Sequence, residues 1–158
     1  MRKLFLIACL LSFSVSLAAQ KSMQLKSPNG KLETTIVVGK TITYSVSHNG
    51  DQALASSPVS VSLNDGESFG INSSLKNAKT TTVNQEITAP FYKRNKIQDH
   101  YNELILNFKE NFSIIFRAYN EGIAYRFVST GKKDFIVKEE EAVFNFAKDY
   151  KIYVPYVK

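Results

Sequence analysis

Beyond residue 20, apolar and polar positions alternate with a period of two through most of the chain and almost nowhere with the period of a helix. Leu32, Thr34, Ile36 and Val38 fall on one side of a first segment, and Ile42, Tyr44 and Val46 on one side of the next. Pro28-Asn29-Gly30 and Asn49-Gly50-Asp51 bracket them with residues that accept positive φ at little cost, and Gly39-Lys40 makes a tight connection between them. The pattern predicts strand, turn, strand, tight connection, strand, turn. Residues 59–63 predict a further short strand closed by Asn64-Asp65-Gly66. Residues 70–78, rich in serine and asparagine, predict a loop; residues 80–89, rich in threonine, an edge strand; residues 90–98, a basic connection.

The signal then strengthens. Leu104, Leu106 and Phe108 alternate with Glu103, Ile105 and Asn107, and Lys109-Glu110-Asn111 turns the chain. Phe112, Ile114, Phe116 and Ala118 line one face of the returning strand, with Ser113, Ile115, Arg117 and Tyr119 on the other. Asn120-Glu121-Gly122 is a second tight turn, with Gly122 permitting it, and residues 123–128 return. Residues 135–137, 143–146 and 152–157 complete about ten strands, which predicts an all-β, antiparallel β-sandwich or barrel. Large groups on both faces of the central strands favour the inside of a sandwich. No internal repeat or linker divides the chain into further domains before residue 158.

The first 19 residues break this pattern. Arg2 and Lys3 precede an apolar run from Leu4 to Val15, small residues follow at Ser16, Ala18 and Ala19, and Gln20-Lys21-Ser22 turns polar. That order predicts a signal peptide over residues 1–19, with residues 20–158 as the mature domain. The run is shorter than the roughly 20 apolar residues a membrane span needs, so no stable membrane anchor is expected. Cys9 is the sole cysteine and sits inside this run, leaving no disulfide to the mature part. Core burial must therefore supply the stability.

The formal charge of +6 falls to +4 when Arg2 and Lys3 leave. Lysines are scattered apart from Lys93-Arg94-Asn95-Lys96 and Lys132-Lys133, so no stripe exists to neutralise phosphates and nucleic-acid binding is not expected.

Few residues offer chemistry. His48 stands before a hairpin turn. His100 lies beside Asp99 and near Glu103, but adjacent strand residues point to opposite faces, and no second histidine is close enough in sequence to complete a metal triad. Glu139-Glu140-Glu141 predicts a solvated turn, and a contiguous run does not make the facing carboxylate pair of a glycosidase. Tyr92, Tyr101, Tyr119 and Tyr125 could form a sugar-stacking platform, although aromatics at alternate strand positions are more often packing. These residues yield no catalytic, cofactor-binding or metal site.

At Tyr101-Asn102-Glu103-Leu104, and from Phe116 through Asn120-Glu121-Gly122 to Phe127, the chain resembles the N-terminal domain of glycoside hydrolase family 97. Ser27-Pro28-Asn29-Gly30-Lys31-Leu32, Ile42-Thr43-Tyr44-Ser45-Val46 and Glu141-Ala142-Val143-Phe144-Asn145-Phe146 fit the same family in order, while Gln98-Asp99-His100 departs from it. The resemblance implies part of a galactose-mutarotase-like super-sandwich, incomplete over this length, that packs against a (β/α)8 catalytic barrel of the same full-length chain. It implies hydrolysis of terminal α-linked sugars from oligo- or polysaccharides by barrel carboxylates, with calcium expected in the full-length enzyme. No catalytic or calcium-binding residue carries over to a position here. Arg117, Tyr119, Asn120, Gly122, Tyr125 and Arg126 are then structural, bracing the sandwich or its barrel-facing side. Family analogy places the protein across the inner membrane, in a gram-negative periplasm. An incomplete sandwich is expected to be poorly soluble alone or to fold only by self-association. The alternative is a free-standing secreted carbohydrate-binding β-sandwich without catalysis.

Overall fold

Two antiparallel sheets face each other in a computed structural model that describes residues 20–91, 93–151 and 153. The signal peptide expected over residues 1–19, Tyr92 and most of the strand expected over 152–157 lie outside the described residues. The first sheet contains β1 (Lys21–Lys26), β2 (Leu32–Val38), β3 (Ile42–His48), β4 (Asp51–Leu63), the short β5 (Ser68–Phe69) and β10 (Val137–Ala142), with β10 on the far side of β4. The second is a meander of β6 (Leu75–Thr88), β7 (Lys96–Phe108), β8 (Phe112–Tyr119) and β9 (Ile123–Ser129). The expected antiparallel two-sheet, all-β architecture is present.

Local chemistry explains the turns. Asn49 (φ 52°) and Gly50 (φ 88°) both occupy the left-handed region that a two-residue hairpin requires, joining β3 to β4. Asn111 (φ 58°) does the same work between β7 and β8. Period-two alternation then sorts the side chains. Ile36, Ile42, Tyr44, Val59 and Leu63 from one sheet meet Leu104, Leu106, Phe112, Ile114 and Phe116 from the other in one core cluster. Asn102 Nδ2 crosses between the sheets to donate to the Lys26 carbonyl at 2.7 Å.

Several boundaries differ from expectation. β4 begins at Asp51, eight residues before the strand read at 59–63, because Ala53, Ala55, Ser56 and Ser57 carry too little apolar signal to mark it. The expected loop at 70–78 yields to β6 from Leu75, and the basic connection gives up Lys96 onward to β7. Long pairing decides both cases, since β6 and β7 run in register from Ala78↔Leu106 to Thr88↔Lys96. β7 meets β8 only from Tyr101, so the far end of this hairpin is a two-stranded ribbon.

The acidic run is also a correction. Glu139, Glu140 and Glu141 form the middle of β10, paired with Ser62, Val61 and Ser60, where a solvated turn was expected. An edge strand keeps charged side chains in water while its backbone completes the sheet, so charge does not exclude pairing. Residues 135–137 and 143–146 are therefore not separate strands. The second continues along β4 through irregular bonds, Ala55 N to the Asn145 carbonyl at 2.7 Å among them.

Candidate functional site

The polar chemistry concentrates on the outer face of the second sheet. The β7–β8 register sets Tyr101 opposite Tyr119 and Glu103 opposite Arg117, on the side away from the core. Arg117 Nε donates to Glu103 Oε2 at 2.7 Å, and its guanidinium carbon lies 4.3 Å from the centre of the Tyr101 ring. The Tyr119 ring stands 5.0 Å from that of Tyr101, and its hydroxyl donates to Asp99 at 3.3 Å. Asp99 also accepts from Gln85 Nε2 at 3.0 Å. Under this cover Tyr101 is only 4 % exposed, although it points outward.

The cluster is a fixed surface and lacks the parts of a proton-transfer site. Burial acts to lower the Arg117 pKa, but hydrogen bonds to Glu103 and Tyr119 outweigh it and hold the guanidinium above its ordinary value. Glu103 is committed to that permanent cation, so it offers no free base. Burial pushes the Tyr101 phenol up; Arg117 opposes this, while Glu103 and Asp99 add to it. The arrangement can present a planar cation and an acid in fixed geometry to another surface.

The other sequence candidates do not converge. His48 is exposed at the end of β3. His100 pairs with Asn84 on the face opposite Asp99, and Glu103 goes to Arg117. Glu141 accepts from Ser60 Oγ at 2.9 Å. Glu140 instead reaches the Tyr125 phenol from the next position of β10. Among the described residues, no three or more His, Cys, Asp or Glu side chains are grouped to hold a metal ion. The tyrosines expected to form a platform do not share one face among the described residues. Tyr101 and Tyr119 lie on the outer face, whereas Tyr125 turns inward, 5.6 Å from Tyr44 and 5.8 Å from Phe116.

The pairing of Glu103 with Arg117 went unread in the sequence, yet a signal existed. The turn at residues 109–111 fixes the hairpin register, and the register fixes the pair.

Among the described residues, the inner side of the sandwich is open between β9 and β10. A groove of about 390 Å³ is lined by Tyr44, Leu54, Ile123, Phe144, Phe146 and Tyr150, with Glu121 at its rim. A second, of about 400 Å³, lies between Phe127 on β9 and Val137 and Glu140 on β10. Burial, then the nearby Glu140 carboxylate, pushes Tyr125 up to about 12. The folded state thus holds this proton more tightly than the unfolded chain, whose phenol titrates near 10.0. Its stabilising contribution is intact below pH 10 and is lost as the pH climbs through about 12. We expect stability to fall on the alkaline side, and Tyr125→Phe to flatten that fall. Urea midpoints measured in steps above neutrality would check this; equal alkaline slopes for the two proteins would refute it.

Comparison with known proteins adds three findings. A family profile described as Glycosyl-hydrolase 97 N-terminal matches residues 25–158. A retaining alpha-galactosidase from Bacteroides thetaiotaomicron is 45% identical over 159 aligned residues, covering 100% of this chain and 24% of that protein. The chain thus spans about a quarter of the length of this curated relative. Among solved structures, a glycoside hydrolase family 97 enzyme from Pseudoalteromonas sp. strain K8, in complex with acarbose, superposes with a TM-score of 0.70 at 18% identity. That match covers 79% of this chain and 20% of that one. A beta-arabinopyranosidase superposes with a TM-score of 0.69 at 26% identity, over 78% and 21% of the two chains.

Proposed function

We infer the role of this chain from one premise: it belongs to the glycosyl-hydrolase 97 N-terminal family. The role is that of a β-sandwich scaffold within a larger exported glycoside hydrolase. It seats a (β/α)8 barrel that hydrolyses terminal α-linked sugars, and the reacting carboxylates and the calcium belong to that barrel. The signal-peptide pattern of residues 1–19 supports export, with the periplasm as destination.

The observation that carries the docking role is the Tyr101–Arg117–Glu103 stack. A sheet face turned only to water gains little from ordering a guanidinium against a carboxylate, since exposed pairs contribute about 0–1 kcal/mol. Here the pair is half-buried, covers a tyrosine and is flanked by half-buried Ile105 and Ile115. Such a patch suits a rigid partner surface that desolvates it.

The test is a titration of this chain with the catalytic portion of the Bacteroides relative. Binding is expected, and Arg117→Met or Glu103→Gln should weaken it roughly tenfold, about 1.4 kcal/mol. Absence of binding, or hydrolysis of an aryl α-galactoside by this chain alone, would sink the reading.

One observation favours the carbohydrate-binding alternative: Phe144 and Phe146 remain more than half exposed beside the open groove. Calorimetry with galactose oligomers, comparing Phe146→Ala with the unaltered chain, separates the two. Saturable heat that Phe146→Ala removes would favour the module.

A further inference from the structure

Asparagine is followed by glycine at two places in the chain, Asn29-Gly30 between β1 and β2 and Asn49-Gly50 between β3 and β4. Such a pair carries its own electrophile and its own nucleophile. The side-chain amide carbon of the asparagine stands beside the next backbone nitrogen, and glycine, with no Cβ, lets that nitrogen close on it. Asn64-Asp65, Asn72-Ser73 and Asn111-Phe112 lie outside the strands too, but the side chain that follows each asparagine crowds the same approach.

Asn29 is locked. Its Oδ1 accepts from Ser27 Oγ at 2.7 Å and from Lys31 N at 3.0 Å, which holds the amide in one orientation. Its backbone N donates to Asn120 Oδ1 at 3.0 Å, in the turn between β8 and β9. Gly30 N, the nitrogen that would attack, donates to the Ser27 carbonyl at 2.9 Å. Reaction there requires this last bond to break and the amide to leave both of its donors.

Asn49 has the opposite arrangement. Its backbone is fixed, with φ 52° and its N donating to the Lys31 carbonyl at 2.8 Å, so the hairpin stays formed while the side chain is free. Among the described residues its amide meets only His48 Nε2, 3.4 Å from Nδ2, and Gly50 N has no acceptor. Asn29 and Asn49 are both exposed, so hydrogen bonding and not burial separates them.

We propose that Asn49 is a modification site at which the folded protein deamidates itself, and that the hydrogen bonds around Asn29 protect it from the same reaction. Gly50 N attacks Asn49 Cγ and forms the new N–Cγ bond. The Cγ–Nδ2 bond breaks, and Nδ2 leaves as ammonia with the proton that Gly50 N gave up. Water then opens the cyclic imide. Attack at Cγ gives an ordinary aspartate; attack at the backbone carbonyl carbon gives a β-linked one, whose main chain runs through Cγ. The balance is one water consumed and one ammonia released, with nothing oxidised or reduced. The β-linked product adds a main-chain carbon to a two-residue turn and a carboxylate next to Asp51. A turn that short has no slack, so the His48↔Asp51 pair opens. Val46↔Leu54 lies two pairs inward, and both residues line the groove beside Tyr44. The reaction is confined to two adjacent residues, so it is independent of the family reading and of whatever else packs on the sandwich.

The test follows both sites in one sample. The whole protein is held in mildly alkaline buffer at physiological temperature, and tryptic peptides of successive aliquots are weighed and fragmented. Lys26, Lys31, Lys40 and Lys76 place Asn29 in peptide 27–31 and Asn49 in peptide 41–76. Each event adds about one mass unit at the asparagine concerned. In the folded protein Asn49 should convert at least about tenfold faster than Asn29, a barrier difference of about 1.4 kcal/mol. In urea, where the bonds from Ser27, Lys31 and Gly30 are gone, the two rates should converge. An Asn49 that does not convert, or an Asn29 that keeps pace with it in the folded protein, would overturn the proposal. So would a rate ratio that survives urea, because flanking sequence and not the fold would then set it.

Discussion

Phe112→Ala is expected to remove about 3–5 kcal/mol of stability, a large share of the roughly 5–15 kcal/mol that holds a domain folded. The ring is fully buried where the two sheets meet. It stacks on Phe108 at 4.5 Å and on Phe69 at 4.7 Å, and Phe127 lies at 6.2 Å. These neighbours come from β7, β5 and β9, so truncation leaves a void bordered by both sheets. Neither sheet can collapse into it without breaking register with its own neighbours. Phe112→Leu keeps most of the volume and should cost clearly less. The check is a urea titration: the midpoint should drop steeply for alanine and modestly for leucine, with a similar slope. Equal midpoints would mean that the stack does not contribute as described.

Gly70→Ala should be nearly as damaging, for a backbone reason. Gly70 has φ +95°, a conformation that residues with a Cβ rarely adopt. An added Cβ would stand 2.6 Å from the Val59 carbonyl oxygen and 3.2 Å from Ser60 Cα, both main-chain atoms of β4. No side-chain rotation relieves that contact. Moving Gly70 away would also strain the bond from Ile42 N to its carbonyl at 2.9 Å, which ties the start of β3 to the loop after β5. Steric and conformational costs together come to about 2–5 kcal/mol. Gly122→Ala is the contrast. Gly122 is outside the left-handed region, and a Cβ there would meet nothing within 4 Å, so a change within about 0.5 kcal/mol is expected. A melting comparison of the two alanine variants would decide it; similar losses would contradict the assignment. The turn at 120–122 therefore does not depend on glycine, contrary to what its sequence implies.

How far the sequence led depended on which physical term set each feature. Phe112, Ile114, Phe116 and Ala118 alternate cleanly, and all four are buried, because side-chain direction in a strand follows from sequence parity alone. Asn49-Gly50 announced its hairpin through local backbone preference. The start of β4 and the place of β10 were hidden, because pairing with a strand far along the chain creates them. Ser60, Ser62 and Glu140 carry no strand preference strong enough to announce it. The Tyr101–Arg117 stack lay between. Its residues stood out as part of the family resemblance, but their contact required the hairpin register. Of the tyrosines considered for a sugar platform, the three described ones do not share a face, because the hairpin register places Tyr125 across the sheet from Tyr101 and Tyr119.

The order in which the chain is made gives the β4–β10 pairing a further meaning. The second sheet is a succession of hairpins, each closing on its immediate neighbour, so it can assemble as it is synthesised. The far side of β4 has a different schedule. It waits for Ala142 to pair with Val59, about 80 residues later, which at about 5–20 residues per second is roughly 4–16 seconds of synthesis. For that interval Val59 and Val61 belong to an uncapped nascent strand. A factor that binds extended apolar segments has its best opportunity there, before the acidic β10 arrives and closes the sheet.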